Sequence, residues 1–359
     1  MKLRNTLIVT SVAICLLNAC ASVSNTTPDA NTQAAAPRPK PQMQAVLNEL
    51  AALGAKPVAE LTPQQARQQP TPADAVKSLL KKQGKPLGPQ PVAQVQDSVV
   101  PGRAGGIPIR AYWPRIGGAP LPVVLYVHGG GWVLADLDTY DATPRAIANA
   151  AQAIVISTHY RQAPEHRFPA AHEDVFTVYL WVRENAARFG GDPNRIAVMG
   201  ESAGGNMAAT VALIARDNKI PMPVHQVLVY PVADNRMDTP SYQRNDDAKP
   251  LDRDDMRWFF NQYLRAPSDG DNGLISLVDV VNLKGLPSAT VITAEIDPLQ
   301  SEGQRYAQRL QEAGVPVDYK NYSGVTHEFF GMTAVLDDAR AAVDQAASDL
   351  RESFERAPR

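Results

Sequence analysis

From Gln94 onward the apolar residues gather into short, nearly continuous runs: Val123–Val127, Ala153–Ser157, Ile196–Met199, Val224–Val229, Ala289–Thr293 and Val317–Tyr322. Runs of this length without polar alternation predict strands covered on both faces. Most are separated by stretches with helical spacing, over Asp141–Ala151, Ala170–Asn185, Gly204–Arg216 and Ser301–Ala313, with a last helix from about Thr333 to Phe354. Strand–helix alternation of this kind predicts an α/β fold with a mostly parallel central sheet flanked by helices. Asn235 to Leu264 departs from the rhythm, being polar and then rich in Trp, Phe and Tyr, and reads as an insertion near 235–265 that contributes to a lid.

The N-terminal part follows other rules. Lys2 and Arg4 precede an apolar stretch from Thr6 to Leu17, too short to span a bilayer comfortably and flanked as a secretory signal is. It ends in Leu17-Asn18-Ala19-Cys20, which resembles the lipobox of bacterial lipoproteins, where the cysteine is lipidated and becomes the mature N-terminus. The expectation is a signal peptide over 1–19 and membrane attachment through Cys20, on the periplasmic face and with the outer membrane favoured by Ala21. A standard signal peptide cut near Ala21 is the alternative. Residues 20–42 are rich in Ser, Thr, Asn, Pro and Ala, cannot pack a core and read as a tether. Met43–Leu53 and Ala73–Leu80 carry helical spacing, so 43–93 is expected to form a small helical cap ahead of a main domain over 94–359.

Composition narrows the function. The 359 residues carry 35 basic and 37 acidic side chains, so no basic excess exists to neutralise nucleic-acid phosphates. The two cysteines, Cys15 and Cys20, both lie in the signal region, which leaves the mature domain without a disulfide or a thiol set for zinc. The expected partner is a small molecule; composition is silent on whether the chain is a monomer or a dimer.

The chemistry is concentrated in a few loops. Gly200-Glu201-Ser202-Ala203-Gly204-Gly205 contains G-x-S-x-G directly after the run Ile196–Met199 and before a small-residue helix, the setting of a nucleophile elbow. Residues two before and two after the serine must lack bulk there, and the Ala203 N–H faces the space above Ser202. A second loop, His128-Gly129-Gly130-Gly131-Trp132, follows the run Val123–Val127. Its glycines leave backbone N–H groups open to hold a developing oxyanion; no G-K-[ST] follows that would suit a phosphate. Chain order in such sites is serine, acid, histidine. Of six histidines only His225 and His327 follow Ser202; His225 opens a strand, whereas His327 lies in the loop after the last one. Asp297 and Glu295 compete for the acid. Asp297 sits further into its loop, where it is better placed to reach the far ring nitrogen.

These segments resemble the hormone-sensitive-lipase-like family of bacterial esterases: HGGGW at 128–132, GESAGG at 200–205, Asp297-Pro298-Leu299, the late His327, and Tyr160-Arg161-Gln162-Ala163-Pro164-Glu165, similar to the family's YRLAPE. The resemblance covers about residues 43 to 355. It implies an α/β-hydrolase fold with an N-terminal helical cap and a cofactor-free, metal-free carboxylesterase acting on short to medium acyl esters through Ser202, His327 and Asp297. Gly130, Gly131 and Ala203 would be the oxyanion donors, with Gly129 as an alternative. Glu165 and Asp174 would hold loops behind the site. Gln162 for the usual Leu, Ala135 where Gly is common, and Leu277 for a usual Pro after Ser276 bear on pocket shape rather than chemistry. The same machinery would also serve an amidase or a sugar deacetylase, and a ligand-binding protein on a retired hydrolase scaffold is the non-enzymatic alternative.

Overall fold

A computed structural model of the chain describes residues 37–357; the signal, Cys20 and most of the tether lie outside them. Three short helices come first: α1 (Pro41–Ala52), α2 (Pro63–Ala66) and α3 (Pro72–Lys82). Each starts with proline at a position whose N–H needs no partner. In α2 and α3 a threonine, Thr62 or Thr71, exchanges capping-box hydrogen bonds with Gln65 or Asp74. There follow β1 (Gln94–Gly102), β2 (Gly105–Trp113), β3 (Leu121–Val127), α4 (Ala142–Ala151), β4 (Ile154–Thr158), α5 (Ala170–Asn185), β5 (Gly191–Glu201), α6 (Ala203–Asp217) and β6 (His225–Val229). The chain continues through α7 (Pro240–Arg244), α8 (Arg253–Tyr263), β7 (Ser288–Ile296), α9 (Gln300–Glu312), β8 (Val317–Thr326) and α10 (Asp337–Arg356).

The eight strands form one sheet in the order β1-β2-β4-β3-β5-β6-β7-β8, parallel from β4 to β8 and antiparallel where β2 joins β1 and β4. Each apolar run named above falls on one of the parallel strands. The hydrophobic pattern gives no sign of β1 and β2, for a physical reason. They sit at the sheet edge, and β1 is exposed at most positions, so no continuous apolar run is required. The central strands are buried throughout because their alternate residues feed two cores. Val123, Leu125 and Val127 of β3 belong to the core that also holds α5, α6 and α9; Val124 and Tyr126 belong to the one that holds α1, α4 and α10. In α10, Ala339, Ala342, Val343, Ala346, Leu350 and Phe354 make the inward stripe at the i, i+3, i+4 spacing.

The 235–265 insertion contains α7 and α8, and α8 is tied to the N-terminal helices. Asp255 accepts a hydrogen bond from the Ala59 N–H (3.0 Å), and the Trp258 indole N–H donates to the Leu61 carbonyl (3.0 Å).

Candidate active site

The strand–turn–helix at Ser202 begins with a close approach of backbones. A Cβ on Gly200 would stand 2.1 Å from the Gly204 carbonyl oxygen, and one on Gly204 would stand 2.1 Å from that of Val127. With both glycines in place, α6 starts immediately after the serine, and Ser202 takes φ 57°, ψ −123°. Of the seven non-glycine residues with positive φ among the described residues, five (Trp132, Ala135, Ser202, Tyr230 and Glu328) belong to loops around this point. Backbone strain is thus concentrated where side chains must be aimed.

Ser202, His327 and Asp297 meet here although the serine and the histidine are 125 positions apart in sequence. The Ser202 hydroxyl donates to His327 Nε2 (3.0 Å), and the other ring N–H, at Nδ1, donates to Asp297 Oδ2 (2.7 Å). All three are buried. The second Asp297 oxygen accepts the Leu299 N–H (2.9 Å), and Asn245 Nδ2 donates to the Glu295 and Asp297 carbonyls at 3.1 Å each, fixing the loop after β7. Glu295 points elsewhere: its carboxylate accepts the Gly324 N–H (2.8 Å) and so steadies the strand leading to His327. His225 is at the other end of the sheet, hydrogen-bonded to Ser288 and Thr290. Burial alone would depress the His327 pKa. Asp297, joined by Glu328 and Glu201, outweighs it and holds the ring above the ordinary imidazole value.

The glycine loop lies across from the serine. Gly130 and Gly131 both have positive φ (87° and 58°). Among the described residues, the backbone N–H groups of Gly129, Gly130, Gly131 and Ala203 donate to no other protein group. Behind this loop the 160–165 segment acts as a brace. Tyr160 donates to the Gly129 carbonyl (2.8 Å), and Gln162 Nε2 donates to those of Leu134 (2.7 Å) and Ala135 (2.8 Å). Arg161 pairs with Asp174, and Glu165 with Arg67 (2.8 Å each), the latter bond tying the segment after α2 to the brace. Gln162 thus puts polar atoms where leucine is usual, and Ala135 adopts the left-handed conformation (φ 70°) that suits the more common glycine.

A cavity of about 320 Å³ opens onto Ser202 and His327. Its lining combines apolar side chains, among them Val58, Val232, Leu251, Met256 and Phe259, with polar ones, Asp136, His159, Gln162 and Glu328. Phe259 packs directly over Gly131, where a Cβ would meet its ring at 2.1 Å. Its neighbour on α8, Phe260, turns instead to Trp132 in the core (6.0 Å between rings). Among the described residues no group of acidic, His or Cys side chains is arranged to hold a metal.

Residue spacing did not reveal the groups surrounding His327. Tyr230 places its ring 4.5 Å from the imidazole, and its hydroxyl donates to Glu201 (2.5 Å), which also accepts from Tyr126 (2.5 Å). Glu328 accepts from Tyr140 (2.5 Å). Burial, then Glu328, pushes Glu201 up to about 7; burial raises Glu328 too, against the pull of His327 and Tyr140. The only hint in the sequence is adjacency, each glutamate flanking a triad residue.

With this geometry the chain can be set beside known proteins. A family described by its alpha/beta hydrolase fold matches residues 124–331. The carboxylesterase NlhH of Mycobacterium tuberculosis is 43% identical over 251 residues, spanning 69% of this chain and 79% of that protein. An ethyl acetate hydrolase of Pseudomonas putida is 37% identical over 240 residues, spanning 65% and 74%. The solved structure of a hyperthermophilic esterase from Pyrobaculum calidifontis superposes with a TM-score of 0.79 at 37% identity, covering 88% of this chain and 98% of that one. A serine elbow, a glycine loop and a late histidine on this sheet, with relatives this similar, place the chain in the alpha/beta hydrolase fold family, among its hormone-sensitive-lipase-like esterases.

Proposed function

We propose that this chain hydrolyses carboxylic esters of short to medium acyl length through an acyl-enzyme on Ser202. The observation that carries the reading is the unbroken chain of hydrogen bonds from Ser202 Oγ through His327 to Asp297 at the floor of the cavity. His327 Nε2 takes the hydroxyl proton as Oγ attacks the ester carbonyl, and the oxyanion is received by the N–H groups of Gly130, Gly131 and Ala203, with Gly129 within the same loop. His327 then passes its proton to the leaving alcohol. In the second half the same ring activates water, which releases the acid. Asp297 keeps the ring in the required tautomer and balances the imidazolium charge without taking the proton.

Acyl length follows from the roof. The N-terminal helices and the 235–265 insertion act as a cap, and a cavity near the small end for ligand sites, lined by Phe259, favours acetyl to octanoyl chains over palmitoyl. Hydrolysis of p-nitrophenyl acetate, butyrate, octanoate and palmitate by the full chain tests this; a well-folded protein that turns over none of them would overturn the reading. The pH profile is a further test. Because the raised His327 must be neutral to accept the proton, kcat/KM falls as pH drops through its pKa, and the midpoint of that acid limb is expected above 6.5.

We further infer that Cys20 is lipidated and that the tether holds the folded domain at a membrane surface, the outer membrane being favoured. The lipobox-like Leu17–Cys20 supports this. Cys20→Ala should abolish incorporation of a labelled fatty acid and move the esterase from the membrane to the soluble fraction. Equal labelling of both forms would refute it.

A further inference from the structure

Two acidic side chains adjoin the triad, and the acyl-transfer steps above use neither. Glu201 precedes Ser202 and is wholly buried; Glu328 follows His327 and borders the cavity. Three phenols hold them. Tyr126 of β3 and Tyr230 of the segment after β6 each donate to one oxygen of Glu201 at 2.5 Å, and Tyr140, just before α4, donates to Glu328 Oε1 at 2.5 Å. Burial, then the carboxylate each one faces, keeps all three phenols protonated, so the negative charge the cluster carries is that of the glutamates, in part only for Glu201, which burial pushes up to about 7. Tyr230 joins the cluster to the triad, its ring against His327 and its hydroxyl on Glu201.

Packing does not account for this arrangement. A buried carboxyl is costly unless its charge is used, and hydrophobic residues of similar volume would fill the space at less cost. Beside it is a ring that becomes cationic in each half of the reaction. We propose that Glu201 and Glu328 are positioning residues for His327, stabilising its imidazolium with carboxylate charge beyond that of Asp297. Both ring nitrogens are already engaged, by Ser202 and Asp297, so the two glutamates act through space and through the Tyr230 ring. The charged and titratable groups around the ring are Asp297 in the loop after β7, Glu201 at the end of β5, Tyr230 after β6 and Glu328 in the histidine's own loop, with Tyr126 and Tyr140 one bond further out and Asp136 and His159 on the cavity wall.

The proposal rests on the hydrolytic reading and makes a claim that a structural role would not. Removing negative charge near the imidazolium lowers the His327 pKa, so the acid limb of the pH profile must move to lower pH. The experiment is the pH dependence of kcat and KM for p-nitrophenyl butyrate, from about pH 5 to about pH 9, with full-length wild type, Glu328→Gln, Glu328→Asp and Glu201→Gln. For Glu328→Gln the limb is expected to fall by on the order of one pH unit, with kcat on the plateau reduced about tenfold and KM unchanged. Glu328→Asp, which keeps the charge, should return the limb towards wild type. Tyr230→Phe, which removes one of the two phenol donors of Glu201, and Tyr140→Phe, which removes the phenol donor of Glu328, should shift it in the same direction as Glu328→Gln, and they stand in should Glu201→Gln fail to fold. Acid limbs that coincide with wild type in every folded variant, whatever the loss of thermal stability, would overturn the proposal. An inactive wild type would instead remove the hydrolytic reading beneath it, so the two failures are distinguishable.

Discussion

Ser202→Ala is expected to lower kcat for p-nitrophenyl butyrate by roughly 10⁵-fold or more while leaving KM and the thermal midpoint close to wild type. The expectation follows from what the hydroxyl does in the folded chain. It bonds to His327, so its removal leaves one half-satisfied ring nitrogen at the edge of a cavity, a small cost, yet deletes the only atom placed to form the acyl-enzyme. His327→Ala should cost a similar factor, because the serine is a poor nucleophile without its base. The double variant should be about as slow as either single one, since the two groups work as a unit and their effects do not add. Losses that multiplied, or near-normal turnover by the Ser202→Ala protein, would show that the nucleophile lies elsewhere.

Gly204→Ala is expected to be, with Gly200→Ala, among the most damaging single methyls in the molecule. The added carbon would lie 2.1 Å from the Val127 carbonyl oxygen, 2.5 Å from that of His128 and 2.7 Å from the Val127 carbonyl carbon. All three are backbone atoms of β3 and the glycine loop, so no side-chain rotation relieves the clash. The helix α6 must move off the sheet, with a loss of about 3 kcal/mol or more and a fall in thermal midpoint of roughly 6 °C or more. Because α6 carries Ala203 and its N–H, activity should fall together with stability. Gly88→Ala is the control: nothing lies within 4 Å of its added carbon and its φ is not in the left-handed range, so neither measure should change. A Gly204→Ala protein as stable as the control would mean that the elbow is looser than the close approach of β3 and α6 indicates.

What the sequence by itself determined here is what short-range physics controls. Strands buried on both faces need unbroken apolar runs, and five of the six parallel strands, β4, β3, β5, β6 and β7, carry them; the sixth, β8, coincides with the run Val317–Tyr322 although four of its ten positions are exposed. The tight turn at Ser202 demands glycine on both sides, and an oxyanion loop with free N–H groups favours Gly129-Gly130-Gly131. Those requirements act within a few residues and leave marks in the string. The helix boundaries came within a few positions for the same reason, with α10 starting at Asp337 rather than Thr333.

The tertiary structure decided everything that depends on two distant segments meeting. β1 has no continuous apolar run because an edge strand needs none, and it joins the sheet only through β2, which pairs with β4. Asp297 and Glu295 are two residues apart and chemically alike. Asp297 reaches His327 while Glu295 turns to Gly324, a choice set by the end of β7 and by Asn245 from the insertion. The glutamates beside the triad are legible as letters, but their phenolic partners come from β3, the α4 approach and the segment after β6. A buried charge is tolerated only where several chain segments converge to satisfy it, and that convergence is a property of the fold alone.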